Sequence, residues 1–412
     1  MTLPQQRLTG FIFLWRDLRL GTDRVSVVLV VLPTAATRQR VYPVFESACM
    51  PPKLRSMSDQ TSRSSNVTLE EIARAAGVSP STVSRILNGT ARVSDAKQQA
   101  VEKAIAEFQY QPNVLARSLA SGRTNTIGVL TQAIASPFYG EWLRGIEDTL
   151  LDPGLTPLFV SSHWSKAEEA ARLEQLLARR VDGVIILHGQ ISEEQLVRYA
   201  ARAPLVVLGR ALAPHASLTC LPIDNVTGAR DATEHLIGLG HRHIAFVAGP
   251  PDHADSAERL VGYRAALEQA GVAFDPALVF EADYTEAGGF RAMQHLFDTA
   301  PHLTAVFCSN DQMAYGARLA LFRRGLRVPE DISLVGFDDL PTSVYMTPPL
   351  TTVRQPTYEI GCLAARAIVK LIRGEPVTMD PVPLTLEVRE TTQRCSAVSA
   401  IDRREPDAVA SS

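Results

Sequence analysis

The chain has 412 residues, with 41 Lys+Arg against 44 Asp+Glu, a formal net charge of −3 and 46% hydrophobic residues. That length allows two or three domains with ample core, and so even a charge balance does not by itself point to a polyanionic partner. Five cysteines, Cys49, Cys220, Cys308, Cys362 and Cys395, are odd in number and lack paired spacing, which argues against a disulfide framework or a zinc site and for a reducing compartment.

Residues 1–66 fit nothing that follows them. Val25 to Leu32 is apolar but far too short to span a bilayer, and Phe11 to Trp15 is shorter still. Neither run is followed by a small-residue cleavage site at signal-peptide spacing. Ser58 to Ser65 is polar and is expected to be disordered.

From Val67 the pattern becomes helical. Thr68 and Glu71 stand at capping-box spacing, and Leu69, Ile72, Ala73 and Ala76 recur as one apolar stripe. Gly77 ends this helix; Ser79 then suits an N-cap and Pro80 the first helical position. In the second helix Val83, Ile86 and Leu87 face a core, while Ser81 and Arg85, four apart, share a polar face. A helix, a tight turn and a polar-faced second helix form a helix-turn-helix, whose second helix enters the DNA major groove. Arg85 is the candidate for base readout, because its fork can bond the O6 and N7 of guanine. Thr82 and Ser84 suit phosphate contacts, which set register without reading sequence. Thr68, Ser79, Pro80, Ser81 and Asn88 complete the candidate DNA contacts of this segment. Seven basic residues between Arg74 and Arg123 compete with Glu70, Glu71, Asp95, Glu102 and Glu107, so one copy should bind weakly and a dimer is expected.

From Thr126 onward apolar runs alternate with amphipathic helices. Ile127–Leu130, Pro157–Val160, Gly183–Leu187, Leu205–Leu208 and Leu221–Ile223 read as buried strands; after Asp224 the series restarts with Ile244–Ala248, Leu278–Glu281, Ala305–Cys308 and Leu334–Phe337. Two such series predict an α/β body of two doubly wound parallel sheets. Ligands sit beyond the carboxyl ends of such strands. Those positions hold Phe138 and Tyr139, Arg210, Asp283 and Tyr284, Asn310 and Asp311, and Asp338 and Asp339, with Arg259 starting a helix after the loop 249–255. Aromatic faces with carboxylates, an amide and arginine suit a polar ring such as a sugar.

Together these stretches resemble the LacI/GalR family of bacterial transcriptional regulators, through about residue 395. The head carries the similarity in residues 67–119; the body carries it in Asp224-Asn-Val-Thr-Gly-Ala, Asn310-Asp-Gln-Met-Ala-Tyr-Gly-Ala, Arg327 to Asp339 and Pro349 to Gln355. The resemblance implies a helix-turn-helix headpiece (67–112), a hinge helix and linker (113–124) and a periplasmic-binding-protein-like effector and dimerisation domain (125–395). Its first lobe would take about 125–225 and 356–385, its second about 226–355 and 386–395, leaving a polar tail (396–412). It further implies minor-groove contacts at Asn113, Ala116, Arg117 and Leu119, the leucine acting as a wedge between base steps. Effector contacts map to Phe138, Tyr139, Arg210, Arg259, Tyr284, Asn310, Asp338 and Gln355. Gly209 stands where some relatives place an acidic contact, so the effector's identity stays open. Because family heads begin near the chain start, translation is expected to begin at Met57, with 1–56 a mis-assigned extension; a regulatory or membrane-associating arm is the alternative.

Structural alternatives stand beside these assignments. Asn310 and Asp311 suit helix caps, Phe138 and Tyr139 core packing, Arg259 a surface ion pair and Gln355 the crossover between lobes. The hinge leucine suits a linker helix, Asp339 a structural role, and His241 and His243 a turn with solvent-facing imidazoles rather than a metal site. No phosphate loop, dinucleotide fingerprint or nucleophile elbow occurs, so neither an enzyme nor a cofactor is expected. The expected protein is a cytoplasmic, nucleoid-associated repressor with no membrane partner. Its homodimer would read a near-palindromic double-stranded operator under control of a small-molecule effector, most simply a carbohydrate. The alternatives are a purine- or nucleoside-responsive regulator and a periplasmic solute-binding protein.

Overall fold

A computed structural model describes residues 12–20, 23–31, 67–87, 93–110, 122–213 and 215–395, the first two segments as backbone only. The chain divides into one unit ending at Tyr110 and a second beginning at Gln111.

Within residues 1–66, strands β1 (Ile12–Leu20) and β2 (Asp23–Val31) pair antiparallel, Ile12 opposite Val31 and Leu20 opposite Asp23. Val25, Val27, Val28, Val30 and Val31 are β-branched, which favours extended backbone, and a two-residue connection suits a hairpin. Ser58 to Ser65 lies outside the described residues.

The head consists of α1 (Leu69–Ala75), α2 (Pro80–Leu87) and α3 (Asp95–Glu107). Thr68 caps α1 in a complete capping box: its Oγ accepts the Glu71 amide at 3.3 Å, and Glu71 Oε2 accepts the Thr68 amide at 2.7 Å. Gly77 turns the chain at φ +66° and Ser79 Oγ accepts the Thr82 amide at 3.2 Å, as the turn and cap require. Ile72, Ala73, Val83, Val101 and Ala104 form the small core.

In the second unit, β3 (Thr126–Thr131), β4 (Thr156–Ser161), β5 (Gly183–Leu187), β6 (Leu205–Leu208) and β7 (Leu218–Leu221) form a parallel sheet of order β4-β3-β5-β6-β7. Side chains alternate along β5: Ile185 and Leu187 join one core layer, Val184 and Ile186 the other. The first layer is covered by α4 (Pro137–Leu151) and by α11 (Thr357–Ile372) from the far end of the chain; the second is covered by α5 (Lys166–Ala178) and α6 (Glu193–Ala200).

A second sheet has the order β9-β8-β10-β11-β12-β13, from β8 (Ile244–Ala248), β9 (Val279–Glu281), β10 (Ala305–Cys308), β11 (Ser333–Asp338), β12 (Thr351–Arg354) and β13 (Thr385–Glu387). Only β13 runs antiparallel to its neighbour. Its faces carry α7 (Asn225–Gly238) with α8 (Ala254–Gln269), and α9 (Glu286–Thr299) with α10 (Asp311–Arg323).

The alternation of apolar runs and helices is thus realised as two doubly wound lobes, with three adjustments. The last strand of the first lobe lies earlier than Leu221–Ile223, because Pro222 has no amide for a ladder and Leu218 with Leu221 supply the buried positions. Strands β12 and β13 are short and mostly polar, so pattern alone does not reveal them. Arg259 lies inside α8, which already begins at Ala254.

Candidate functional site

The carboxyl ends of both sheets face a cleft of about 290 Å³. This is close to the lower end of ligand pockets, about 300–1,000 Å³. The first lobe contributes Phe138 and Tyr139 from the start of α4, Trp164, His188 and Arg210; the second contributes Asp255, Arg259, Tyr284, Asn310 and Asp338. Backbone strain collects here: Trp164 (φ +62°), His188 (+60°), Tyr284 (+63°) and Asp338 (+112°) are all left-handed although none is glycine. Such conformations persist where surrounding packing dictates a side chain's direction, commonly at ligand clamps.

Arg259 is the electrostatic centre of the cleft. It is only 3% exposed, its guanidinium lies 3.9 Å above the Phe337 ring, and Nε donates to Asn225 Oδ1 at 2.9 Å. Nη1 donates to the Ser309 carbonyl and stands 3.9 Å from Asp338 Oδ1; Nη2 stands 4.0 Å from Asp255 Oδ2. The two carboxylates respond differently. Burial pushes Asp338 well above the ordinary carboxyl range, against the lowering effect of Arg259. Burial also raises Asp255, but the Arg259 guanidinium lowers it, and that carboxyl stays below its usual value.

Asn310 does two jobs at once. Its Oδ1 caps α10 by accepting the Met313 amide at 2.9 Å, and its Nδ2 donates to the Tyr284 carbonyl at 3.0 Å. Arg210 Nη1 donates to the Ile191 carbonyl, which anchors this guanidinium at the edge of the first lobe.

Of the eight expected effector contacts, Phe138, Tyr139, Arg210, Arg259, Tyr284, Asn310 and Asp338 are brought to the cleft; Gln355 is not among its lining residues. Gln355 is buried and donates from Nε2 to Asp338 Oδ1 at 2.8 Å, so it steadies a wall residue at the lobe crossover. Asp311 is buried away from the cleft, its carboxylate accepting from the Leu340 amide and the Ser343 and Thr352 hydroxyls, and burial pushes it up to about 7. Asp339 pairs with Arg389 at 2.6 Å, a structural role. His241 does not face solvent: it is buried, and its Nε2 donates to the Gln393 carbonyl at 3.0 Å because the chain's last described segment covers the turn. His243 remains exposed.

Sequence reasoning missed Trp164, His188, His253 and Asp255. Trp164 crosses the cleft and stacks on His253 of the other lobe, ring centroids 4.9 Å apart at 27°. Ser136 Oγ likewise reaches Gln312 Oε1 across it at 3.1 Å. Both Trp164 and His188 follow strand ends, so the rule that found Arg210 would have found them had every strand been followed.

In the head, Ser81 and Arg85 are exposed on one face of α2, and Ser79 Oγ lies 2.9 Å from Ser81 Oγ and 2.8 Å from Thr82 Oγ1. Pro80 is exposed at the first helical position, Ser84 is half-buried, and Thr68 is used as the α1 cap. A helix start dense in hydroxyls suits a phosphate, and an arginine one turn further suits a base edge. Asn88, Asn113, Ala116, Arg117 and Leu119 lie outside the described residues. Among the described residues no cluster of His, Cys, Asp or Glu is arranged to hold a metal, and no helix is long and apolar enough to cross a membrane.

A helix-turn-helix head followed by a two-lobed body with a small-molecule cleft defines a ligand-responsive regulator of transcription. Comparison with known proteins gives the same class. Residues 68–113 match the model of bacterial regulatory proteins of the lacI family, and residues 233–392 match the periplasmic binding protein-like domain. The HTH-type transcriptional regulator CelR of Thermobifida fusca is 41% identical over 329 residues, 78% of this chain and 95% of CelR. A CelR–cellobiose complex superposes with a TM-score of 0.58 at 38% identity, covering 79% of this chain and 99% of the other. The lac repressor dimer bound to operator and the anti-inducer ONPF gives a TM-score of 0.71 at 30% identity, covering 79% and 99%. The chain belongs to the LacI family: it is a DNA-binding transcriptional regulator and not an enzyme.

Proposed function

We propose that this protein is a cytoplasmic, homodimeric repressor whose grip on a near-palindromic operator is set by a carbohydrate bound between the lobes. The observation that carries this reading is the cleft itself. Rings of Phe138, Trp164 and Tyr284 offer faces for the C–H surfaces of a sugar, with Tyr139 packed in the core behind them, while Arg259, Asp255, Asp338 and Asn310 offer bonds for its hydroxyls. The cellobiose held by the CelR relative supports the same ligand class. The lobes are joined at 222–224, 355–356 and 373–384, so a ligand closing the cleft would turn one lobe against the other. Transmission would pass through the segment 113–124 to the head at 67–112, and the ligand shifts that equilibrium only by binding one state better. Operator titration with and without a panel of sugars tests the scheme. Operator affinity that no sugar changes would count against it.

The dimer reading rests on an apolar surface of the second lobe. Leu319 and Phe322 of α10 and Val344 and Tyr345 of the following turn are exposed, Phe322 at 68% and Tyr345 at 83%. They adjoin because the Tyr315 hydroxyl, on the same face of α10, bonds both Thr342 and Ser343 at 2.7 Å. A contiguous apolar surface of this kind marks a protein interface. Substituting Phe322→Asp together with Tyr345→Asp is expected to give monomers in sedimentation velocity and to weaken operator binding at least tenfold. A double variant that still sediments as a dimer removes this surface from consideration.

Arg85→Ala is expected to remove operator preference at the cost of one bidentate base contact, about 1–3 kcal/mol, leaving salt-dependent binding to unrelated duplex. Competition binding with operator and scrambled duplex reads this directly. Equal loss on both duplexes would assign Arg85 to phosphate instead.

A further inference from the structure

His188 and Gly209 occupy one space. Gly209 has φ +79°, and a Cβ built on it would lie 2.5 Å from His188 Cδ2 and 2.9 Å from His188 Nε2. The imidazole therefore stands where a side chain at position 209 would enter the cleft. It is held there by rings on three sides, with centroids at 5.7 Å to Phe138, 6.1 Å to Tyr139 and 5.5 Å to Trp142. Its own backbone is left-handed, so the surroundings, not the residue's preference, dictate this placement. His188 is half-buried and lines the cleft, while its Nδ1 is buried without a hydrogen-bond partner; Gln132 Nε2, also on this wall, is buried and unpartnered too. Unpaired polar atoms against a cleft mark groups that a ligand satisfies.

The guanidinium groups lining the cleft already have partners. Arg259 has Asp338 and Asp255 within 3.9 and 4.0 Å, Asp283 is paired with Arg291 at 2.6 Å, and Arg210 is tied to the Ile191 carbonyl. Glu169, buried behind the same loop with Oε2 accepting the Gln190 amide at 2.8 Å, lies close enough to interact with the Arg210 charge. A phosphate or carboxylate entering the cleft would meet three lining carboxyl groups and no guanidinium without a prior partner.

Resting on the carbohydrate reading above, we infer that the cleft selects an uncharged ligand, and that His188 sets this selectivity by hydrogen-bonding a ligand hydroxyl. Burial pushes the His188 imidazole down to about 4, which is consistent with a wall that offers no positive charge at physiological pH. A hydroxyl both donates and accepts, so it suits either tautomer; an anion suits neither the ring's acceptor nitrogen nor the neighbouring carboxyl groups.

Isothermal titration of the full chain with matched pairs tests this: glucose and glucose 6-phosphate, ribose and ribose 5-phosphate, cellobiose and cellobionate, uridine and uridine 5′-monophosphate. The neutral member of the binding pair is expected to bind at least about a hundredfold tighter than its charged partner, the effect of desolvating an anion where no cation is left to pair with it. A charged member binding as tightly as its neutral partner overturns the inference. With the neutral ligand so found, His188→Ala is expected to weaken binding about ten- to a hundredfold, and His188→Asn, which tolerates a left-handed backbone and keeps hydrogen-bonding atoms, to recover part of that loss. Ligand-free melting curves identify any variant that fails to fold; if alanine fails, asparagine is expected to bind more weakly than wild type by a measurable factor. Wild-type affinity in every folded variant overturns the role of His188. Binding of uridine alone would overturn the carbohydrate reading while the neutral-to-charged ratio still decides the inference. Indifference to every neutral compound would overturn both.

Discussion

Replacing Arg259 with alanine is expected to abolish the ligand response and to destabilise the second unit by about 3–5 kcal/mol, the usual cost of removing one partner from a buried ion pair. The guanidinium does more than meet a ligand. It satisfies Asn225 and the Ser309 carbonyl, covers the Phe337 ring, and is the cation nearest to both Asp255 and Asp338. Truncation leaves the buried Asp338 carboxyl and the partly buried Asp255 carboxyl without this cation. Urea melts of wild type and variant, with thermal shifts against the effector, read the two effects separately. Arg259→Lys should recover part of the stability and little of the response, because an ammonium cannot span Asn225, Ser309 and Asp338 together. A variant within about 1 kcal/mol of wild type would show that the carboxyls are protonated in pairs and need no cation.

Gly316→Ala is expected to cost about 3 kcal/mol or more, at the upper end for overpacking. A Cβ at this position would stand 1.8 Å from the Glu286 carbonyl oxygen and 2.8 Å from the Phe290 amide nitrogen, and one at Gly289 would stand 2.0 Å from the Met313 oxygen. All three are backbone atoms of α9 or α10, so no rotamer change relieves the clash and the helices must separate. That separation would reach the cleft. Asn310 at the start of α10 bonds the Tyr284 carbonyl, and Gln312 Nε2 bonds Glu286 Oε1 at 3.1 Å, so the same crossing sets the distance between two ligand walls. Gly140→Ala in α4 is the control: nothing lies within 4 Å of its Cβ, and helix propensity favours alanine by about 0.5–1 kcal/mol. Paired denaturant melts should therefore move in opposite directions. Equal shifts would show that the approach of α9 to α10 does not limit what position 316 can hold.

The head was legible because each of its devices is local. A capping box spans three residues, a glycine turn one, and Ser79-Pro80 announces a helix start without reference to distant contacts. The two sheets were legible because strands covered on both faces read as unbroken apolar runs, and the end of each run points to the cleft. That logic delivered Arg210, Asn310 and Asp338. Gln355, which the resemblance and not the strand ends put among the effector contacts, holds Asp338 outside the cleft lining, and nothing local distinguishes such a side chain from one that touches a ligand. Sequence reasoning also gave His241 to solvent, since the residues that bury it, Thr304 and Gln393, lie 63 and 152 positions away.

Periodicity, caps and strand ends are properties of neighbouring residues, and from them the chain's order alone establishes a helix-turn-helix ahead of two doubly wound lobes with polar and aromatic groups at one end. Tertiary structure alone decides that Trp164 stacks on His253, that His188 fills the space beside Gly209, and that Arg259 serves two carboxylates at once. The first depends on which faces the two sheets turn toward one another, the others on which strand and helix ends meet within one lobe. Excluded volume and charge pairing act through space, over distances the chain's order does not encode.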